Sequence, residues 1–285
     1  MEGREHLDQA IALYDPKEHR SLAMSFGQDI RVSILSWRSR TLWFLGWPEA
    51  AIADSDHTIK NAREIGHPAT LMYALLLTSL CHIFCGEYAS AKALLDEVLA
   101  LADDKESFFW KAWATTQEGC VSALRGKAAD AVQTITSGIA AWESTGSTAM
   151  VPFYLSCLAW AHAELRQFDE AGRCIGEAMT AMETTQERWF EAEVHRMAGE
   201  LALRSPGRNA KKAEAHFERA LAVARQQQAK SWELRAAMSM ARLWRNQGKR
   251  EEARDLLASV YNWFTEGFDT RDLKEAKGLL DTLAS

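Results

Sequence analysis

Six alanines recur along the chain at one interval: Ala51, Ala91, Ala131, Ala171, Ala213 and Ala253, spaced 40, 40, 40, 42 and 40 residues. Each follows the start of a turn segment (LGWPEAA, CGEYASA, RGKAADA, RQFDEAG, NAKKAEA, QGKREEA) by about five residues. A register kept over five intervals points to a repeated helical unit that buries its apolar face only by stacking on its neighbours. The turn glycines Gly46, Gly86, Gly126 and Gly248 sit where a first helix ends in the left-handed region. The alanine marks the crossing of the second helix over the first, where close packing leaves no room for a larger side chain. Four residues on, Leu95, Ile135, Ile175, Phe217 and Leu257 form an apolar stripe on the second helix. Ser55 breaks that stripe in the first repeat, as an edge position would allow.

The 42-residue interval contains Ser205-Pro206-Gly207-Arg208-Asn209, a turn-rich insertion between helices. Near the start, Arg4 to Tyr14 places Leu7, Ala10, Ile11 and Tyr14 on one face, reading as a lone second helix, and residues 15–29 read as the longest irregular link. At the other end, Leu273, Ala276, Leu279, Leu280 and Leu283 mark a capping helix. The expected fold is all-α, a right-handed superhelix of antiparallel helix pairs with about 14 helices and a period of about 40 residues. It is read as a single solenoid over 1–285. Residues 1–29 supply the lone helix and link, 30–68, 69–106, 107–148, 149–187, 188–229 and 230–267 the repeats, and 268–285 the cap.

Apolar residues make up 47% and charged residues 25%, which excludes the low-hydrophobicity signature of disorder. A net charge of −6 provides no basic field for a phosphate backbone, so no direct nucleic-acid partner is expected. The longest apolar stretch, Ala69 to Cys85, includes His82 and reads as a buried helix rather than a membrane span. The charged start MEGREHLDQA does not read as a secretory signal, so a cytoplasmic location is expected. Cys81, Cys85, Cys120, Cys157 and Cys174 read as reduced core residues.

No catalytic, cofactor or metal site is expected. The Cys81/His82/Cys85 group lacks the further ligands a structural zinc needs, and His195 with Glu200 does not make H-E-x-x-H. Asp103 and Asp104 end a helix beside Lys105 and Glu106, where solvated charge is normal. The first helices, in this register, line a concave partner- or ligand-binding groove. Arg40, Trp43, Tyr73, Leu80, Trp113, Thr116, Phe153 and Trp160 form its aromatic part. Glu193, Arg196, Glu200, Arg235, Met238 and Arg242 form a charged last third. Such a surface suits a peptide or helix with apolar anchors and an acidic or mixed-charge end. In the link, His19, Arg20, Gln28 and Asp29 read as a polar connector, with a ligand or interdomain contact as the alternative.

The turn-plus-alanine pattern resembles the tetratricopeptide repeat. Its longer period resembles the repeat region of the maltose-regulator type of transcription activator, since the common repeat has about 34 residues. The small residue midway through the first helix is glycine at Gly119 and Gly199, with Ser39, Ser79, Ala159 and Ala241 elsewhere. Residues 6–29, 187–203 and 226–283 resemble the C-terminal region of bacterial predicted ATPases and class III adenylate/guanylate cyclases. In those proteins an ATPase module precedes tetratricopeptide-like repeats. The resemblance implies a fragment or free-standing remnant of such a protein: a scaffold or sensor that binds a protein or peptide partner and regulates an ATPase or cyclase module. A small-molecule inducer receptor of the maltose-regulator type is the alternative, and a piece of an active cyclase a weaker one. The chain has no GxxxxGK[ST] loop and no cyclase metal-binding motif, so those activities are not carried over.

Overall fold

The computed structural model describes residues 2–284. All regular structure among them is helical. Fourteen helices have twelve or more residues: α1 (Glu2–Leu13), α4 (Ile30–Phe44), α5 (Pro48–Ile65), α6 (Pro68–Cys85), α7 (Tyr88–Asp104), α8 (Phe108–Leu124), α9 (Ala128–Ser144), α10 (Val151–Glu164), α11 (Phe168–Thr185), α12 (Glu191–Arg204), α13 (Ala210–Gln226), α14 (Lys230–Asn246), α15 (Arg250–Tyr261) and α16 (Arg271–Ala284). The chain forms two compact units, residues 1–115 and 116–285, with the division inside α8.

The repeat is visible in one hydrogen bond. After the first helix of a pair, the chain turns through a left-handed residue and the next N–H donates back five residues. The partners are Trp47 to Leu42 (2.9 Å), Glu87 to His82 (2.8 Å), Lys127 to Ser122 (3.0 Å), Gln167 to His162 (2.9 Å) and Lys249 to Trp244 (2.9 Å). In the fifth repeat, Asn209 donates to Ala202 (2.9 Å), seven residues back, which places the two extra residues in the 205–209 turn. Glycine takes the left-handed position in four repeats, but Arg166, at φ 61°, takes it in the fourth.

Each crossing is built from the small residues picked out in the sequence, and all six repeat alanines are fully buried. In the second unit, a Cβ on Gly199 would come within 2.4 Å of the Phe217 ring, and one on Gly119 within 2.7 Å of Ile135. Gly138 plays the reciprocal part, since a Cβ there would meet Thr116 Oγ1 at 2.5 Å. The first repeat solves the crossing differently. Ser55 is buried, and its hydroxyl lies 2.7 Å from that of Ser39, which also bonds the Ala51 carbonyl at 3.0 Å. Two small hydroxyls that satisfy each other replace the apolar contact.

Residues 15–29, expected to be irregular, instead hold short helical turns: α2 (Pro16–His19), a 3-10 turn (Arg20–Leu22) and α3 (Ala23–Phe26). The Asp15 carboxylate accepts the Lys17 N–H at 2.8 Å with Pro16 in the first turn, while Gly27 at φ 76° ends the run. His19 Nδ1 accepts the Asp15 N–H at 2.9 Å. Buried Asp29 then caps α4, accepting the Val32 N–H at 3.1 Å and the Tyr14 hydroxyl at 2.8 Å. Its own N–H donates to Thr70 Oγ1 at 3.0 Å. Helix α1 is held by Arg38, which pairs with Asp54 at 2.6 Å and Asp8 at 2.9 Å. Helix α6 is long and apolar enough to cross a membrane, but most of it is buried among α4, α5 and α7. The five cysteines are buried free thiols.

Candidate functional site

In the first unit, the first helices α4, α6 and the start of α8 bring together an aromatic cluster. The Trp37 indole N–H donates to the Tyr73 hydroxyl at 2.9 Å, and the Arg40 guanidinium lies 4.0 Å over the Trp37 ring. Tyr73 meets Trp110 and Trp113 edge-on, each at 6.4 Å, and those two indoles stack at 5.8 Å with Phe109 against both. Burial pushes the Tyr73 hydroxyl pKa up, opposed by the Trp37 hydrogen bond and the Arg40 charge.

Of the residues assigned to this part of the groove, Leu80 has no accessible surface and Trp43 is buried against Phe84 at 4.9 Å. Arg40, Tyr73 and Trp113 form the floor, each less than one-tenth exposed. The surface above them belongs to residues the sequence reading passed over: Trp37 is 49% exposed and Phe109 38%. Trp37 is three residues before Arg40, and Phe109 four before Trp113, so helical neighbourhood was the available signal.

In the second unit the assigned residues divide again. Thr116 and Met238 are buried, and Phe153 lies in an aromatic run with Trp189, Phe190 and Trp232. Trp160 is partly exposed beneath Arg204 at 4.8 Å, which also pairs with Glu164 at 2.8 Å. The charged positions make a ladder across α12, α14 and α16. Arg196 grips both oxygens of buried Glu193 (2.6 and 2.8 Å) and lies 3.6 Å from Glu200, which accepts the Ser239 hydroxyl at 2.6 Å. Arg235 reaches Glu193 at 3.7 Å and Asp272 at 2.6 Å, while Arg242 and Arg271 hold Glu275 at 3.2 and 2.8 Å.

Burial pushes the Glu193 pKa up, but Arg196 and Arg235 outweigh it and leave the carboxyl below its ordinary range. Four arginines thus meet four carboxylates, and the ladder is compensated from within. On the opposite side of α12, His195 Nδ1 lies 3.5 Å from His216 Nδ1 of α13, and burial lowers the pKa of both imidazoles.

Asp103 and Asp104 form exposed pairs with Lys111 (2.7 Å) and Lys105 (2.8 Å). An open cleft of 420 Å³ between α5 and α7, lined by Asp56, Ile59, Lys60, Arg63, Glu64 and Leu94, touches none of the groove residues.

Helix pairs with small crossing residues, repeated turn hydrogen bonds and no strand among the described residues define a helical-repeat protein of the tetratricopeptide type. No family model and no curated protein matches the chain. Among solved structures, a signal-transduction ATPase with numerous domains and a tetratricopeptide repeat sensor, from Pyrococcus horikoshii, is 14% identical with a TM-score of 0.59. The match covers 99% of this chain but 43% of that one. RapI in its apo form is 12% identical over 88% of this chain and 84% of its own, with a TM-score of 0.58. Aspartyl phosphate phosphatase F from Bacillus subtilis is 14% identical over 92% and 68%, with a TM-score of 0.58. At these identities the likeness shows the fold alone.

Proposed function

We propose that the chain is a non-enzymatic scaffold and sensor module, cytoplasmic, whose first-unit aromatic face receives an apolar or aromatic segment of a protein partner. The observation that carries this is the half-exposed aromatic layer of Trp37 and Phe109 on a floor of Arg40, Tyr73 and Trp113. Large aromatics presented on a rigid floor are the residues that dominate interface energies. The regulated effector would be a signalling module of the ATPase or cyclase type, on the resemblance of residues 6–29, 187–203 and 226–283. A tetratricopeptide repeat sensor in the similar signal-transduction ATPase supports the same direction. The helix-pair spans read from the sequence are the units in which we propose the module is built.

Photo-crosslinking in cells from positions flanking the face, such as Lys111, tests this reading. A crosslinked protein carrying a nucleotide-binding or cyclase module is expected, and the Trp37→Ala/Phe109→Ala variant should lose most of it. An adduct pattern identical in wild type and variant would reject the aromatic face.

A further inference from the structure

The pairing of His195 with His216 follows from the tightest helix crossing in the second unit. Gly199, one turn after His195, lets α12 approach α13 so closely that any Cβ there would collide with Phe217, the residue after His216. The two imidazoles therefore face each other from antiparallel helices, ring centres 5.8 Å apart, both partly buried. Their Nδ1 atoms are 3.5 Å apart. Two nitrogens each bound about 2.0–2.1 Å from a tetrahedral zinc would lie about 3.3–3.4 Å apart. Closing that gap by a few tenths of an ångström and turning the rings so that both Nδ1 lone pairs meet at one point converts the pair into a chelate.

We propose that His195 and His216 form a two-imidazole binding site for a divalent transition metal of the zinc or copper class, bridging α12 and α13. Imidazole nitrogen suits these ions rather than calcium or magnesium, which take oxygen ligands. Among the described residues, no group of three or more His, Cys, Asp or Glu is placed to hold a metal, so water completes the coordination shell. The nearest carboxylate on the same helix face is Glu191, four residues before His195, which Arg219 holds at 2.9 Å. Lys212, one turn before His216, and Arg219 supply positive charge near the site, so affinity is modest and Arg219→Ala, which leaves Glu191 only Arg188 at 3.9 Å, should raise it.

The bound ion would tie together the two helices of the repeat whose opposite face carries Glu193, Arg196 and Glu200. Titration of the full chain with copper(II), followed by electron paramagnetic resonance, tests the site. One copper per chain with coupling to two imidazole nitrogens is expected, and His195→Gln or His216→Gln should each weaken binding by more than about tenfold. Zinc titration of the wild-type chain, followed by the side-chain NMR signals of its eight histidines, needs no variant and should perturb this pair first. Perturbation spread over other histidines, or copper binding equal in wild type and both variants, would overturn the proposal.

Discussion

The α4, α6 and α8 face of the first unit and the α12, α14 and α16 face of the second occupy the same position in the repeat but carry opposite chemistry. The first presents aromatic rings, with Trp37 and Phe109 exposed above a buried floor. The second presents charges that already have partners: Arg196 on Glu193, Arg235 on Asp272 and Arg242 on Glu275. A repeat can diverge in this way because its stability comes from the opposite stripe, where alanine and glycine seat the helices. The face is then free to bind or to brace. An aromatic layer gains by covering itself with a partner, whereas an ion-pair ladder would have to break contacts to do so.

The contrast breaks most sharply at Arg196. Arg196→Met leaves the buried Glu193 carboxylate with only the longer contact to Arg235 and is expected to cost about 2–4 kcal/mol in urea unfolding. Glu193→Leu/Arg196→Met should recover most of that loss. If the single variant lost less than about 1 kcal/mol, the ladder would not be a brace.

The crossings give the next largest effect. Gly199→Ala should cost about 2–3 kcal/mol by forcing Phe217 aside, and Ser39→Ala, which leaves the Ser55 hydroxyl short of its partner, about 1–2 kcal/mol. Equal values would erase the distinction between an apolar and a hydroxyl crossing.

The pH response separates the ladder from the Tyr14 region in sign. Glu193 and Glu275 have lowered pKa values, so their stabilisation is present above about pH 4.3 and is lost as pH falls through the lower folded values. His195, facing His216, Glu191 and Arg219, and His216, facing Lys212, are also lowered; in the metal-free chain their contribution begins to fade below about pH 6.5. In the first unit, burial and the bond to Asp29 push Tyr14 up to about 12. Its stabilisation is present below about pH 10 and is lost as pH rises through the folded value. Hydrogen exchange across pH should show α12, α14 and α16 loosening in acid and the Tyr14 to Asp29 region in base, with Tyr14→Phe removing the alkaline change in that region.

The smallest effect is a gain. Arg166, exposed at φ 61° where four other repeats use glycine, should yield about 0.5–1 kcal/mol of stability as Arg166→Gly, read as a raised urea midpoint.

The repeat was legible because its crossing tolerates only small side chains, so alanine recurs at fixed intervals whatever the faces do. The two-residue insertion was legible for the same reason. The site was less so. Trp37 and Trp43 share a helix and a residue type, and what separates them is that Phe84 of α6 covers Trp43. Sequence spacing carries no trace of that neighbour. The partners of Arg235 and Arg242 lie 37 and 33 residues away on α16, beyond any local window, and the charged third read as available surface when it is already paired. The turns at 16–26 are one turn each, too short for apolar periodicity to register, although Asp15-Pro16 and Gly27 bracket them.

The account rests on the first unit's aromatic face binding while the second unit's ladder braces. Hydrogen exchange of the intact chain with and without its crosslink-identified partner tests this directly. New protection is expected in residues 30–44 and 108–115, with residues 191–204, 230–246 and 271–284 unchanged. Protection confined to the latter three segments would contradict it.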